Sequence, residues 1–262
     1  MSYLSDFKSS PFALFGINGG NTSTDASLAT LVGAKFLAAD GREFVIVQNG
    51  GTALVSGVLV QSPASIGANH TGLTCATAAI GATQITVTLG GTAVTANQYA
   101  GGYAVVSAGT GKGQTLRIAS HPAQATTSGT VVLTLEDALS VATAVADSKV
   151  SLTLNPYGSS NGATYATSGV VVSPTTATGA TIGATIYPIP ATSTTVLSYG
   201  YIQTKGPVAV LNDSGTAIGL DVMPSSSVAG AVVTYVAATR NRVGTSTVAG
   251  ETTKAQIITL QL

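Results

Sequence analysis

From Lys35 onward the chain alternates short apolar runs with breaks of Gly, Asn, Asp and Pro, and no run holds the spacing of an amphipathic helix. Strands are therefore predicted over 35–38, 42–48, 53–61, 72–79, 84–89, 103–107, 114–119, 130–135 and 149–154. Further strands are expected at 181–187, 199–204, 208–211, 217–222, 231–237 and 256–261. Within 42–48, Phe44, Ile46 and Gln48 fall on one face and Glu43, Val45 and Val47 on the other, which predicts burial of most of both faces. Elsewhere Thr86, Thr88, Thr115, Thr134 and Thr153 alternate with aliphatics, as half-exposed sheet requires. Asp40-Gly41 supplies a hairpin turn because both residues tolerate positive φ, Asn49-Gly50-Gly51 supplies a second, and Asn155-Pro156-Tyr157-Gly158 a third. Helical signal is confined to single turns at 23–31, with Thr24 as its cap, and at 95–99, while 136–145 reads as a short helix or a loop.

This pattern predicts an all-β protein of two compact β-barrel or β-sandwich domains with an extended N-terminal arm. The arm is residues 1–32, the first β domain 33–157, a loose Gly/Ser/Thr/Pro-rich connection 158–198, and a C-terminal β domain 199–262. Pro174, Pro188 and Pro190 exclude central-strand pairing where they fall in the connection. Tyr3, Phe7, Phe12 and Phe15 concentrate aromatic surface in the arm, so they are the candidate partner-binding residues. The alternative is that these rings fold back on the chain's own core.

Composition narrows the function. The 262 residues hold 10 Lys+Arg, 10 Asp+Glu, 2 His and 1 Cys, too few titratable or soft groups to favour acid–base, nucleophilic or metal chemistry. With 45% hydrophobic residues and no net charge, a folded core is expected, not disorder. Zero net charge gives no footprint for nucleic acid, and so sparsely charged a surface points to self-association. The lone Cys75 excludes an intrachain disulfide and reads as a small buried hydrophobe. No basic leader with an apolar core opens the chain, and Gly, Thr, Ser and Asn interrupt every Val-rich run, so neither a secretory signal nor a transmembrane helix is expected.

Candidate chemistry is thin. Gly109-Thr110-Gly111-Lys112-Gly113 resembles a phosphate loop, but Gly113 stands where Ser or Thr is needed and a strand follows, so a glycine-rich hairpin is predicted. His70 and His121 are far apart in sequence, and neither has a motif that would join it to Ser107 or Ser120 as nucleophile. Glu136, Asp137 and Asp213 have no cation-loop spacing and read as solvated turn carboxylates. No catalytic residue, cofactor or metal site is predicted.

The most distinctive stretch is Tyr199-Gly200-Tyr201-Ile202-Gln203-Thr204-Lys205-Gly206-Pro207, read as an aromatic strand and a Gly-Pro turn returning through Val208 to Leu211 as a β-hairpin. This stretch, its continuation to Asp221, and the hairpin over 103–119 resemble virion structural proteins of tailed bacteriophages, most closely capsid decoration (cement) proteins. The resemblance implies a non-enzymatic protein, made in the host bacterial cytoplasm and carried on the capsid exterior. Its implied partners are the major capsid protein and copies of itself, as a homotrimer, with no nucleic acid and no membrane. Two other readings stay open: a fibre or tail-associated protein that binds host or glycan, with Tyr157, Tyr165 and Tyr187 as candidate contacts, and a major shell protein.

Overall fold

The structure, a computed structural model, describes residues 22–24, 26–64, 67–158, 169–193, 196–237 and 240–262. The protein is all-β, with two antiparallel sheets in two units. The second unit, 64–155, is inserted into the chain of the first.

The inserted unit is a nearly closed six-stranded barrel. Its strands are β5 (Leu73–Thr74), β6 (Gln84–Thr88), β7 (Tyr103–Ala108), β8 (Thr115–Ser120), β9 (Thr130–Leu135) and β10 (Lys149–Thr153), in the order β5-β10-β7-β8-β9-β6. A bridge between Cys75 and Val87, with Ala76 N–H donating to Thr86 O at 2.8 Å, draws the two outer strands together. Alternation places one side of each strand inside: Ile85, Val87, Ala104, Val106, Leu116, Ile118, Val131, Leu133, Val150 and Leu152 form the core. Strand directions alternate, so 67–70, 89–102, 120–129 and 155 gather at one end, and 75–83, 109–114 and 136–148 at the other. The segment 136–145 is a loop, the second of the two forms expected for it.

The first unit is a curled half-barrel built on β13 (Tyr199–Leu211), thirteen residues long. The first half of β13 pairs with β1 (Thr22–Ser23), β3 (Glu43–Gln48) and β12 (Thr181–Thr185), and its second half with β17 (Ala255–Gln261). Beyond these, β2 (Lys35–Leu37) pairs with β3, while β4 (Leu59–Gln61) joins β12 to β11 (Val171–Val172). β16 (Gly244–Ser246), β14 (Asp221–Pro224) and β15 (Val232–Thr234) extend the sheet past β17. As the pattern of β3 required, Phe44 and Ile46 pack with Leu28, Tyr199 and Tyr201, while Val45 and Val47 pack with Leu54, Val60, Ile189 and Ile202.

Three sequence expectations change. First, 199–211 is one continuous strand and not a hairpin. Gly206 adopts φ +90 and Pro207 needs no ladder donor, so the dipeptide bends the strand without reversing it. The register shifts between Gln203 and Lys205, and buried Gln203 secures that irregularity by donating from Nε2 to Lys205 O and Pro207 O, each at 2.9 Å. From Tyr199 to Thr204 every residue is buried; from Lys205 onward exposed and buried positions interchange. Second, the described part of 158–198 is not a loose connection, because β11 and β12 are neighbours of β4 inside the sheet. Third, the boundaries 33–157 and 199–262 give way to one unit containing β1–β4 and β11–β17 and a second containing 64–155. Sequence proximity attached β2–β4 to the barrel that follows them, whereas β3 and β4 pair with strands after it and β2 pairs with β3. Of the predicted strand 53–61, only Leu59–Gln61 forms, preceded by an isolated bridge from Leu54 to Ile189.

Candidate functional site

Tyr3, Phe7, Phe12 and Phe15 lie outside the described residues. The end of the expected arm belongs to the first unit's body: Thr22 and Ser23 pair with Gly200 and Tyr199. A 3-10 helix follows at Ala26–Leu31, and Leu28, Ala29 and Val32 join the core of Phe44 and Tyr201.

The two imidazoles, 51 residues apart, meet at one end of the barrel, on either side of Tyr99. His70, Tyr99 and His121 are all buried. His121 Nε2 accepts the Tyr99 backbone N–H at 3.0 Å, which leaves Nδ1 to donate to Pro122 O at 2.8 Å. His70 Nε2 donates to Thr92 O at 2.9 Å, so its Nδ1 accepts from the Tyr99 hydroxyl. Each ring nitrogen thus has one partner, and the backbone N–H donated to its Nε2 requires the His121 ring to be neutral. Burial is the main cause that lowers the His121 pKa, and burial alone raises that of Tyr99. Neither imidazole engages Ser107 or Ser120 among the described residues; Ser107 instead donates to Lys149 O at 3.2 Å. The arrangement is a structural clasp joining the loops at that end.

At the opposite end, the glycine-rich segment is the predicted hairpin tip between β7 and β8. Its anion is the chain's own: Asp147 Oδ2 accepts the Thr110 N–H at 3.1 Å and the Thr110 hydroxyl at 3.0 Å. These hydrogen bonds hold the Asp147 pKa below the usual carboxylate range. A Cβ on Gly109, at φ +75, would run into the backbone of Asp147, so the loop is packed directly against that residue. Glu136 pairs with Arg117 at 3.0 Å, and Asp213 accepts from Ser225 Oγ at 2.6 Å. Among the described residues, no group of three His, Cys, Asp or Glu is placed to hold a metal. Cys75 is buried, its Sγ 3.7 Å from Ser148 O, and burial raises its pKa.

The same end carries a surface that strand prediction did not reveal. Ile80, Val141 and Val145 are 69%, 45% and 58% exposed on two loops that pair through Gly81 N–H to Leu139 O and through the Ala78–Thr143 bridge. The Gln114 side chain fixes one loop: Oε1 accepts from the N–H groups of Ser140 and Val141 at 2.9 and 3.0 Å, and Nε2 donates to Val141 O at 2.9 Å. Val145 N–H is held by Thr77 Oγ1 at 3.1 Å. Three aliphatic side chains are therefore presented to solvent on hydrogen-bonded loops, the geometry of a pre-organised apolar contact. Compared with protein-family models, curated proteins and solved structures, the chain matches none.

Proposed function

We propose that the protein is a structural component of a phage virion that binds the outside of the capsid and stabilises its lattice, with the major capsid protein and copies of itself as partners. The observation that carries this reading is the barrel end at Ile80, Val141 and Val145, an apolar contact on ordered loops in a chain with few charges to desolvate. A ligand that binds only the assembled lattice stabilises it by mass action, and many copies act together. Such a role needs rigid β units and complementary surface, with no reacting group.

The test is cosedimentation of the purified chain with expanded heads lacking it, with light scattering of the chain alone. Saturable binding by a small oligomer, lost in Ile80→Asp/Val145→Asp with the far-ultraviolet spectrum unchanged, is the expected result. Heat protection of the decorated heads follows from it. Absence of binding, together with a stable elongated oligomer in solution, would overturn the reading in favour of a fibre or tail component.

A further inference from the structure

Four arginines stand in the sequence, and three are matched to carboxylates: Arg42 to Asp40 at 2.7 Å, Arg117 to Glu136 at 3.0 Å and Arg242 to Asp221 at 3.1 Å. Arg240 has no carboxylate partner among the described residues. Its guanidinium donates from Nη1 to Pro174 O at 3.1 Å and from Nη2 to the carbonyl of Thr175. Carbonyl dipoles fix the plane of the group but do not cancel its charge, and some of its five N–H donors remain unspent.

Arg240 lines a cleft of about 410 Å³ in the first unit, along with Asn241, Arg242, Gln61, Ser173 and Thr181. That volume lies within the range of small-molecule sites, and the arginine is held in place before any ligand arrives. Arg242 is also fixed, through Asp221 and through Gln261 Oε1 at 2.6 Å, so its charge is already balanced. Gln61 Nε2 is occupied by Thr178 Oγ1 at 2.7 Å. Leu262 closes one side of the cleft. Among the side chains that line the cleft, Arg240 therefore carries the one unmatched charge, with Ala177, Ala180, Pro224 and Val243 supplying apolar wall.

We infer that this cleft binds a small organic monocarboxylate, up to the size of a sugar acid. The carboxylate takes the remaining donor edge of Arg240, and the body of the ligand lies on the apolar wall. A phosphate dianion does not fit this charge balance, because its second charge meets no further unmatched cation, Arg242 being paired with Asp221. The inference is independent of the capsid-binding reading, which uses a different unit.

The experiment is a heteronuclear NMR titration of the full chain with glucuronate, acetate, glucose and inorganic phosphate. Glucuronate and acetate are expected to give saturable shifts confined to 173–181 and 240–243, with glucuronate the tighter, while glucose and phosphate leave these signals in place. Arg240→Gln should weaken glucuronate at least about tenfold, as loss of a charged hydrogen bond requires. If that variant does not fold, the wild-type titration repeated at rising sodium chloride serves instead, and affinity should fall with salt. Shifts spread over the whole surface, equal response to glucose, or no saturation at millimolar glucuronate would each overturn the inference. An apolar-only site would show salt-independent binding, which also overturns it. Binding of heads in the cosedimentation assay is read separately, so the two proposals can fail apart.

Discussion

Replacing Tyr99 with Phe removes one oxygen from a ring that is 1% exposed and otherwise packed in the barrel core. No carbon is lost, so the cavity contribution is small and the effect isolates the hydroxyl. Its loss leaves His70 Nδ1, on a residue also 1% exposed, as an acceptor without a donor. Stranding a buried polar atom costs about 1–3 kcal/mol. In urea, with a slope of about 1 kcal/mol per molar for a unit of this size, the barrel transition should fall by about 1 M or more. The companion variant His70→Leu gives up the same bond from the other side, at the further expense of Thr92 O. A double-mutant cycle should therefore return a coupling of about 1 kcal/mol between the two positions. Additive effects, or a Tyr99→Phe loss below about 0.5 kcal/mol, would refute the clasp as a stabilising element.

Burial that lowers the His121 pKa makes the folded chain resist a proton that the unfolded chain accepts near pH 6.5. Stability from this group is complete above that pH and falls below it, by up to about 1.4 kcal/mol per pH unit; His121→Gln should flatten that part of a urea-midpoint profile. Gly206→Ala forces a Cβ onto a φ of +90 and to 2.9 Å from Arg42 Cγ, so a loss of about 1–3 kcal/mol is expected in thermal unfolding. Leu133→Ala, at a fully buried barrel position, should cost about 2–5 kcal/mol without changing the far-ultraviolet spectrum under native conditions.

What the sequence made legible was local. The hairpin over Tyr103–Ser120 follows from alternation on both sides of a glycine-rich break, and burial on both faces of β3 follows from Phe44, Val45, Ile46 and Val47 being contiguous. What it hid was pairing at a distance. Nothing near Leu59–Gln61 indicates that its partners are Val171–Val172 and Thr181–Thr185, because both lie in a segment whose Gly and Pro content reads as loop. Gly206-Pro207 has the chemistry of a turn, and only its pairing with Leu260 and Thr259 of β17 holds it as strand. The histidine clasp was more accessible. His70 precedes β5, Tyr99 precedes β7 and His121 follows β8, so antiparallel alternation alone puts all three at one end once the strands are known in order. The apolar end was hidden because Ile80, Val141 and Val145 look like core residues until their loops are placed.

The insertion of the barrel between β4 and β11 also governs how the chain emerges from the ribosome. β4 is synthesised early, yet both its strand partners lie beyond the whole barrel, and β3 waits longer still for β13. At about 5–20 residues per second the barrel, whose strands pair among themselves, can close while the half-barrel remains without its central strand. Nascent chains stalled between β10 and β11 should thus hold a finished barrel and an open apolar edge at β3. That interval is when the chain is most exposed to aggregation, and when a holding chaperone would have most effect on yield.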